Sequence, residues 1–263
     1  MENTANLEML PEEVLKEIYL LEDQAKRLEM REQAQERFMP YAHHVYDNFI
    51  EGTHHRVIAE KLEKIANGEL KRLIVNMPPR HSKSEFASYL MPSWFLGRNP
   101  KLKIIQATMN TELAVRFGRK VRDLIADPKY AEVFPDTDLK PDSQAAGRWE
   151  TSAGGEYFAA GVGAAMTGRG ADLLIIDDPH SEQDALSSTA YDNAYEWYTS
   201  GPRQRLQPGG TIIIVQTRWS KKDITGRLLA AQAKDVMADQ WEVVEFPAIL
   251  PSGEPLWPEF WMK

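Results

Sequence analysis

The chain has no cysteine. That excludes disulfides and thiolate-bound metals. It has no apolar run long enough to span a bilayer, no internal repeat and no low-complexity stretch. Its N-terminus is acidic and lacks an apolar core segment, so no signal peptide is expected. Positive charge is in deficit: 31 Lys and Arg stand against 39 Asp and Glu, for a net charge of −8. A globally basic footprint for nucleic acid is thereby excluded, and any such contact has to come from a local patch or an assembled ring. What is present is a 263-residue chain, 43% hydrophobic and 27% charged, enough for one large α/β domain with appendages.

The most informative stretch is Lys71–Phe86, KRLIVNMPPRHSKSEF. Leu73, Ile74 and Val75 read as a buried strand that Pro78 and Pro79 stop. Pro79, Arg80, His81, Ser82, Lys83 and Ser84 then lead into a helical segment, Glu85–Leu96. Strand, tight loop, Lys-Ser and helix is the layout of a phosphate-binding loop, in which backbone N–H groups and a helix N-terminus face the anion. Lys83 would reach the β- and γ-phosphates of ATP, and the Ser84 hydroxyl would ligate Mg²⁺. Both glycines of the usual G-x-x-x-x-G-K-[ST] pattern are missing: Met77 stands at the first and Ser82 at the second. Taken alone, the Lys-Ser pair favours an ordinary basic loop, so the argument rests on residues downstream.

Asp172–His180, DLLIIDDPH, reads as a fully buried parallel strand ending in two acids. Ligands of open parallel sheets bind at the carboxyl ends of the strands. One carboxylate there can hold Mg²⁺ and a second can orient water for in-line attack on phosphorus. Asp177 is the candidate for the metal, with Ser84, and Asp178 for the water. A third buried strand, Thr211–Arg218 (TIIIVQTR), carries Gln216, Thr217 and Arg218 to the same edge, where they can sense the γ-phosphate.

Residues 4–38 read as one long charged helix, with Leu7, Val14, Leu21 and Leu28 at heptad spacing and Pro40 ending it. It packs on its own domain or docks a partner. The pairs His43-His44 and His54-His55 are expected at the surface, since adjacent helical residues diverge and no carboxylate completes a ligand set. Val57, Ile58, Leu62 and Ile65 form a helical stripe that Gly68 closes. Further expected elements are a strand at Lys103–Thr108 and a helix from Thr111, its cap, to Ala126. A glycine-rich loop is expected at Tyr157–Gly170, a helix at Ile224–Ala233 and a last strand at Trp241–Phe246. Helices between buried strands give an α/β doubly wound sheet.

MPPRHSKSE, GRGADLLIIDDP, IIIVQTRW with DITGRLL, and FPAIL with LWPEFW stand in this order at the spacing found in large terminase subunits of tailed bacteriophages. Over residues 40–260 the chain resembles that family. Its phosphate loops often lack the first glycine and carry an arginine, as Met77 and Arg80 do here. The family often ends its acidic strand in Asp-Glu, where this chain has Asp177-Asp178.

The resemblance implies a P-loop NTPase with a mostly parallel sheet, an N-terminal helical extension (residues 1–40), an ATPase domain (41–246) and a small C-terminal lid or linker (247–263) toward an absent nuclease domain. It implies that the TIIIVQT strand lies between the two Walker strands, with Thr217 coupling hydrolysis to movement, Arg80 contacting phosphate in the same subunit and Arg169 as an arginine finger for a neighbour. It implies an ATP-hydrolysing motor that drives double-stranded DNA into a procapsid. Such a motor works as a homo-oligomeric ring on the portal protein, with a small terminase subunit as partner and no membrane. It would act in the host cytoplasm, be transiently on the procapsid and be absent from the mature virion. With no carboxylate cluster downstream, ATP hydrolysis without DNA cleavage is expected. Lys101, Lys103, Arg116, Arg119, Lys120 and Arg122 are a candidate phosphate-contacting surface, or solvated helix charges. The rival readings are a helicase-type ATPase and a non-hydrolysing docking module.

Overall fold

The aliphatic runs at residues 73–75, 173–176 and 212–215 become adjacent strands, buried on both sides. The computed structural model of the chain describes residues 11–261, so Leu7 of the N-terminal pattern lies outside the described residues. In chain order the strands are β1 (Arg72–Asn76), β2 (Lys103–Thr108), β3 (Leu139–Ala145), β4 (Arg148–Thr151), β5 (Glu156–Gly161), β6 (Ala171–Asp177), β7 (Leu206–Gln216) and β8 (Glu242–Glu245). They form one eight-stranded sheet in the order β3-β4-β5-β2-β6-β7-β1-β8. From β5 to β8 all neighbours are parallel, while β3 and β4 run antiparallel at one edge. β7 thus lies between β6 and β1, where the resemblance puts it.

Alternate residues of each central strand enter two different cores. Leu73, Val75, Leu173, Ile175, Ile213 and Val215 face one side; Ile74, Leu174, Ile176, Ile212 and Ile214 face the other. Two covered faces are what a continuous apolar run, rather than an alternating one, encodes. The first face is covered by α2 (Phe38–Val45), α3 (Thr53–Ala66), α4 (Met91–Arg98) and α5 (Thr111–Ile125), with the short α6 (Pro128–Val133) adding Tyr130 and Val133 to the same core. The second is covered by α7 (Ser188–Ser200) and α8 (Ile224–Lys234). The fold is therefore mixed α/β with helices on both faces of a mostly parallel sheet. No described helix is long and apolar enough to cross a membrane.

Several expectations need correction. Among the described residues, α1 spans Glu12–Glu36, and the break falls at Arg37, whose backbone is extended, rather than at Pro40. In a continuous helix the Pro40 ring would meet the carbonyl of Glu36, so the chain breaks three residues earlier and Pro40 sits in the first turn of α2, where proline is tolerated. Glu63 secures this break, accepting from the Phe38 N–H at 2.8 Å and from Arg37 Nε at 2.9 Å.

His54 and His55 are not surface residues: they are 1% and 0% exposed on the inner side of α3. Val57, from the expected stripe, is outside at 40%. The sheet-facing stripe is instead His54, His55, Ile58, Ala59, Leu62 and Ile65. The two imidazoles are accepted there because Phe49, Phe86 and Trp257 surround them with aromatic rings. Asn110 rather than Thr111 caps α5, accepting from the Leu113 N–H. The loop expected at residues 157–170 begins only after Gly161, since Tyr157 to Gly161 form β5. It then crosses the sheet with Met166 buried in the second core. Finally, the segment Glu85–Leu90 is a π-helix before α4 continues it.

Candidate active site

β1, β6 and β7 end side by side, with Asn76 opposite Gln216 and Asp177 opposite Val215. Because they are parallel, the segments after them leave at one edge, the usual ligand edge of such sheets. Met77 N–H donates to the Gln216 carbonyl at 3.1 Å, holding the chain to β7 for one residue past β1. Pro78 and Pro79 have no N–H and end the pairing. Arg80 and Ser82 then adopt left-handed backbones, at φ 58° and 68°. For residues with a Cβ this costs about 1–2 kcal/mol each and is worth a functional question. Ser82 thus takes the backbone that glycine would take at that place. As a result, among the hydrogen bonds of the described residues, none uses the backbone N–H of Arg80, His81, Ser82, Lys83 or Ser84 as donor. A consecutive run of open N–H groups in a turn is the makeup of an anion-binding concavity.

The side chains of the loop face three ways. Lys83 is buried, its Nζ 2.9 Å from Asp178 Oδ2. Ser84 Oγ donates to Asp177 Oδ1 at 3.0 Å. His81 turns away into the aromatic cluster, with Nδ1 2.8 Å from the Pro79 carbonyl oxygen and its ring near His54 and Trp261. Arg80 is exposed.

The two acids are held differently. Asp177 is buried, and its second oxygen accepts from Ser88 Oγ at 2.7 Å. Burial first, and then the neighbouring Asp178 charge, push its carboxyl up to about 7, against the pull of the two serine hydroxyls and Lys83. Asp178 follows the strand with φ 40° and accepts the Thr217 N–H at 2.7 Å in addition to Lys83. Asp178, Thr217 and Pro79 line a cleft of about 450 Å³, walled by Met109, Leu113, His180 and Trp219. Ser84 and Ser88 on Asp177, and Lys83 and Thr217 on Asp178, thus form two bonded sets side by side, joined through the Asp177–Asp178 peptide link.

The donors suit a hard divalent cation. A buried carboxylate with raised proton affinity sits beside a hydroxyl, and both are oxygen donors. Among the described residues no group of three or more His, Asp or Glu could hold a metal by itself. Magnesium does not need one, since it is commonly held by one or two carboxylates together with substrate phosphates and water.

Arg169 is not part of this cluster. It precedes β6 at the amino edge of the sheet, while Asp177 and Asp178 are at the other end. Its guanidinium lies 3.8 Å over the Phe158 ring of β5, two strands away from β6. Of the basic residues considered for DNA, Lys103 pairs with Glu156, Lys120 with Glu85 and Arg122 with Asp123.

Residues not singled out from sequence complete the setting. Ser88 is one; its spacing of four from Ser84 on a helix was the available signal. A second group joins the site to α8. Gln216 Nε2 donates to Thr225 Oγ1 at 2.7 Å, and Thr225 donates to Asn76 Oδ1 at 3.2 Å. His180 Nε2 accepts the Ile224 N–H at 3.3 Å, as a neutral imidazole can; burial lowers its proton affinity.

No family model matches the chain, and no curated protein matches it. Among solved structures, the HK97 bacteriophage large terminase is similar at a TM-score of 0.43 and 13% identity, over 73% of this chain and 39% of that one. The chain therefore spans about two fifths of that protein's length.

Proposed function

We propose that this chain is a magnesium-dependent ATPase, the motor domain of a terminase-type machine that moves double-stranded DNA into a procapsid. The observation that carries the ATPase reading is the run of free N–H groups from Arg80 to Ser84, opening beside the Lys83–Asp178 and Ser84–Asp177 contacts. The packaging role rests on the ordered motifs of the sequence.

In this reading the backbone of Pro79 to Ser84 cradles the phosphates, with Arg80 and Lys83 supplying charge. Ser84 and Asp177 would hold Mg²⁺, which when bound neutralises charge on the phosphate oxygens. Lys83 exchanges Asp178 for phosphate. That frees the carboxylate of Asp178 to orient a water and take its proton. Thr217, tied to Asp178 through its N–H, registers that exchange, and Gln216 and Thr225 pass it to α8. Arg169 is remote from its own site and is assigned to the nucleotide of a neighbouring subunit in a homo-oligomeric ring. Portal protein and a small terminase subunit are the further partners of this reading, and the host cytoplasm is its place of action.

The test is ATP turnover of the purified chain against protein concentration, beside Lys83→Ala. Turnover per subunit should climb with concentration and vanish in the variant. Mixing Lys83→Ala with Arg169→Ala, each inactive alone, should restore part of the activity if Arg169 acts across an interface. A mixture as inactive as its parts removes Arg169 from that role. Absence of nucleotide binding to the wild-type chain overturns the ATPase reading and favours a docking module.

A further inference from the structure

We infer that Ser88 is a positioning residue for the metal-binding carboxylate of Asp177, an inference that rests on the ATPase reading above. Ser88 is fully buried. Its hydroxyl donates to Asp177 Oδ2 at 2.7 Å, while Ser84 donates to the other oxygen at 3.0 Å. The terminal torsion of an aspartate is broad and roughly two-fold, so the plane of a carboxylate is set by its partners rather than by its rotamer. Here two hydroxyls, one at the N-cap of the π turn and one four residues on inside it, grip the two oxygens separately.

The two serines are not equivalent. Ser84 belongs to the loop and would give its oxygen to the cation. Ser88 is in the π turn Glu85–Leu90, closed by a bond from Met91 N–H to the Phe86 carbonyl. Single π turns occur often at functional sites. Ser88 engages the oxygen that Ser84 does not touch. A cation shared by Ser84 and Oδ1 therefore leaves the Ser88 bond intact, and that bond becomes the remaining hydroxyl anchor of the carboxylate plane. Partners that orient a metal ligand from behind typically govern metal affinity by 10–100-fold.

The experiment is binding of a fluorescent, slowly hydrolysed ATP analogue to the full chain, titrated with Mg²⁺ and repeated in EDTA. Ser88→Ala should raise the Mg²⁺ concentration for half-maximal binding by about tenfold or more, with binding in EDTA unchanged. Ser88→Cys nearly keeps the volume but replaces a strong donor by a weak one; it should shift the curve the same way and serves if the alanine variant does not fold. Ser88→Thr, which keeps the hydroxyl, should return the curve toward wild type. Ser93→Ala is the control for loss of a buried serine. Ser93 is fully buried in α4, bonded to Tyr41 and the Leu90 carbonyl and outside the site, so its removal should leave the Mg²⁺ curve alone. Wild-type and Ser88 variants with superimposable Mg²⁺ curves overturn the inference. A wild-type chain whose nucleotide binding ignores Mg²⁺ overturns the reading beneath it, which is a separate result.

Discussion

Two buried polar clusters flank residues 79–84, and they are built by opposite means. On one side Asp177, Asp178, Lys83, Ser84 and Ser88 answer one another, charge against charge and hydroxyl against carboxylate. On the other, His54, His55 and His81 lie among Trp257, Phe246 and Phe86, and both nitrogens of His54, Nε2 of His55 and Nε1 of Trp257 are buried without a partner. The first cluster carries charge that a ligand can rearrange. The second excludes charge: burial lowers the pKa of His54 to about 4 and of His55 to about 3. The difference is written in which side chains find partners.

The largest effect should come from breaking the charged side without disturbing its shape. Asp178→Asn keeps an acceptor for the Thr217 N–H but removes the charge that pairs with Lys83 and, on the ATPase reading, the proposed base. Loss of a positioned general base typically costs about 10²–10⁴-fold. Turnover should fall by that much while nucleotide binding persists, giving a trapped complex measurable by filter binding. Turnover within about threefold of wild type would move the base elsewhere.

An intermediate effect should come from charging the other side. His54 and His55 have folded pKa values below the ordinary 6.5, so between 6.5 and those values the unfolded chain binds more protons than the folded one. Their contribution is complete above pH 6.5 and is lost as pH falls below it, down to about 4 and 3. Each histidine contributes a slope of at most about 1.4 kcal/mol per pH unit. Asp177, held above the ordinary aspartate range, opposes this by one proton, but two imidazoles outweigh one carboxyl, so urea melts at pH 7.5, 6.0 and 5.0 should show stability falling as pH falls. A flat profile would mean that the imidazoles take up protons in place.

What sequence patterns could and could not reveal follows the same division. β1, β6 and β7 are legible because strands buried on both faces must be apolar throughout, and their runs are rich in β-branched residues. Asp177, Asp178 and Thr217 are legible because each ends or closely follows such a run, and Lys83 because it closes the short loop after one, so the parallel topology carries all of them to one edge. Ser82 was harder: a glycine pattern registers a backbone conformation by the residue that adopts it most easily, and here a serine adopts it. The histidine cluster was not legible at all. Its burial is supplied by Phe49, Phe86, Phe246 and Trp257, from four separate segments, and a local pattern sees only two polar residues on a helix. The Arg37 break was hidden for a related reason, since the partner that secures it, Glu63, is on another helix.

The smallest effect sharpens the comparison most. Neither ring nitrogen of His54 has a partner in good hydrogen-bond geometry, with only the His81 backbone near enough to favour its proton, whereas His55 Nδ1 accepts the Gly52 N–H at 2.8 Å, at the start of α3. Replacing an unpartnered polar ring by an apolar ring of similar shape is close to neutral, while removing one partner of a buried bond costs about 1–3 kcal/mol. His54→Phe should therefore change stability at pH 7.5 by less than about 1 kcal/mol, and His55→Phe should lower it by about 1–3 kcal/mol. Both should flatten the acid slope by one proton, because each removes one imidazole that the fold keeps neutral. The pair of variants thus separates what a buried histidine contributes as a ring from what it contributes as a hydrogen-bond acceptor. If His54→Phe cost as much as His55→Phe at pH 7.5, the nitrogens of His54 would have a partner after all, and the cluster would belong with the charged side of the loop rather than opposite it.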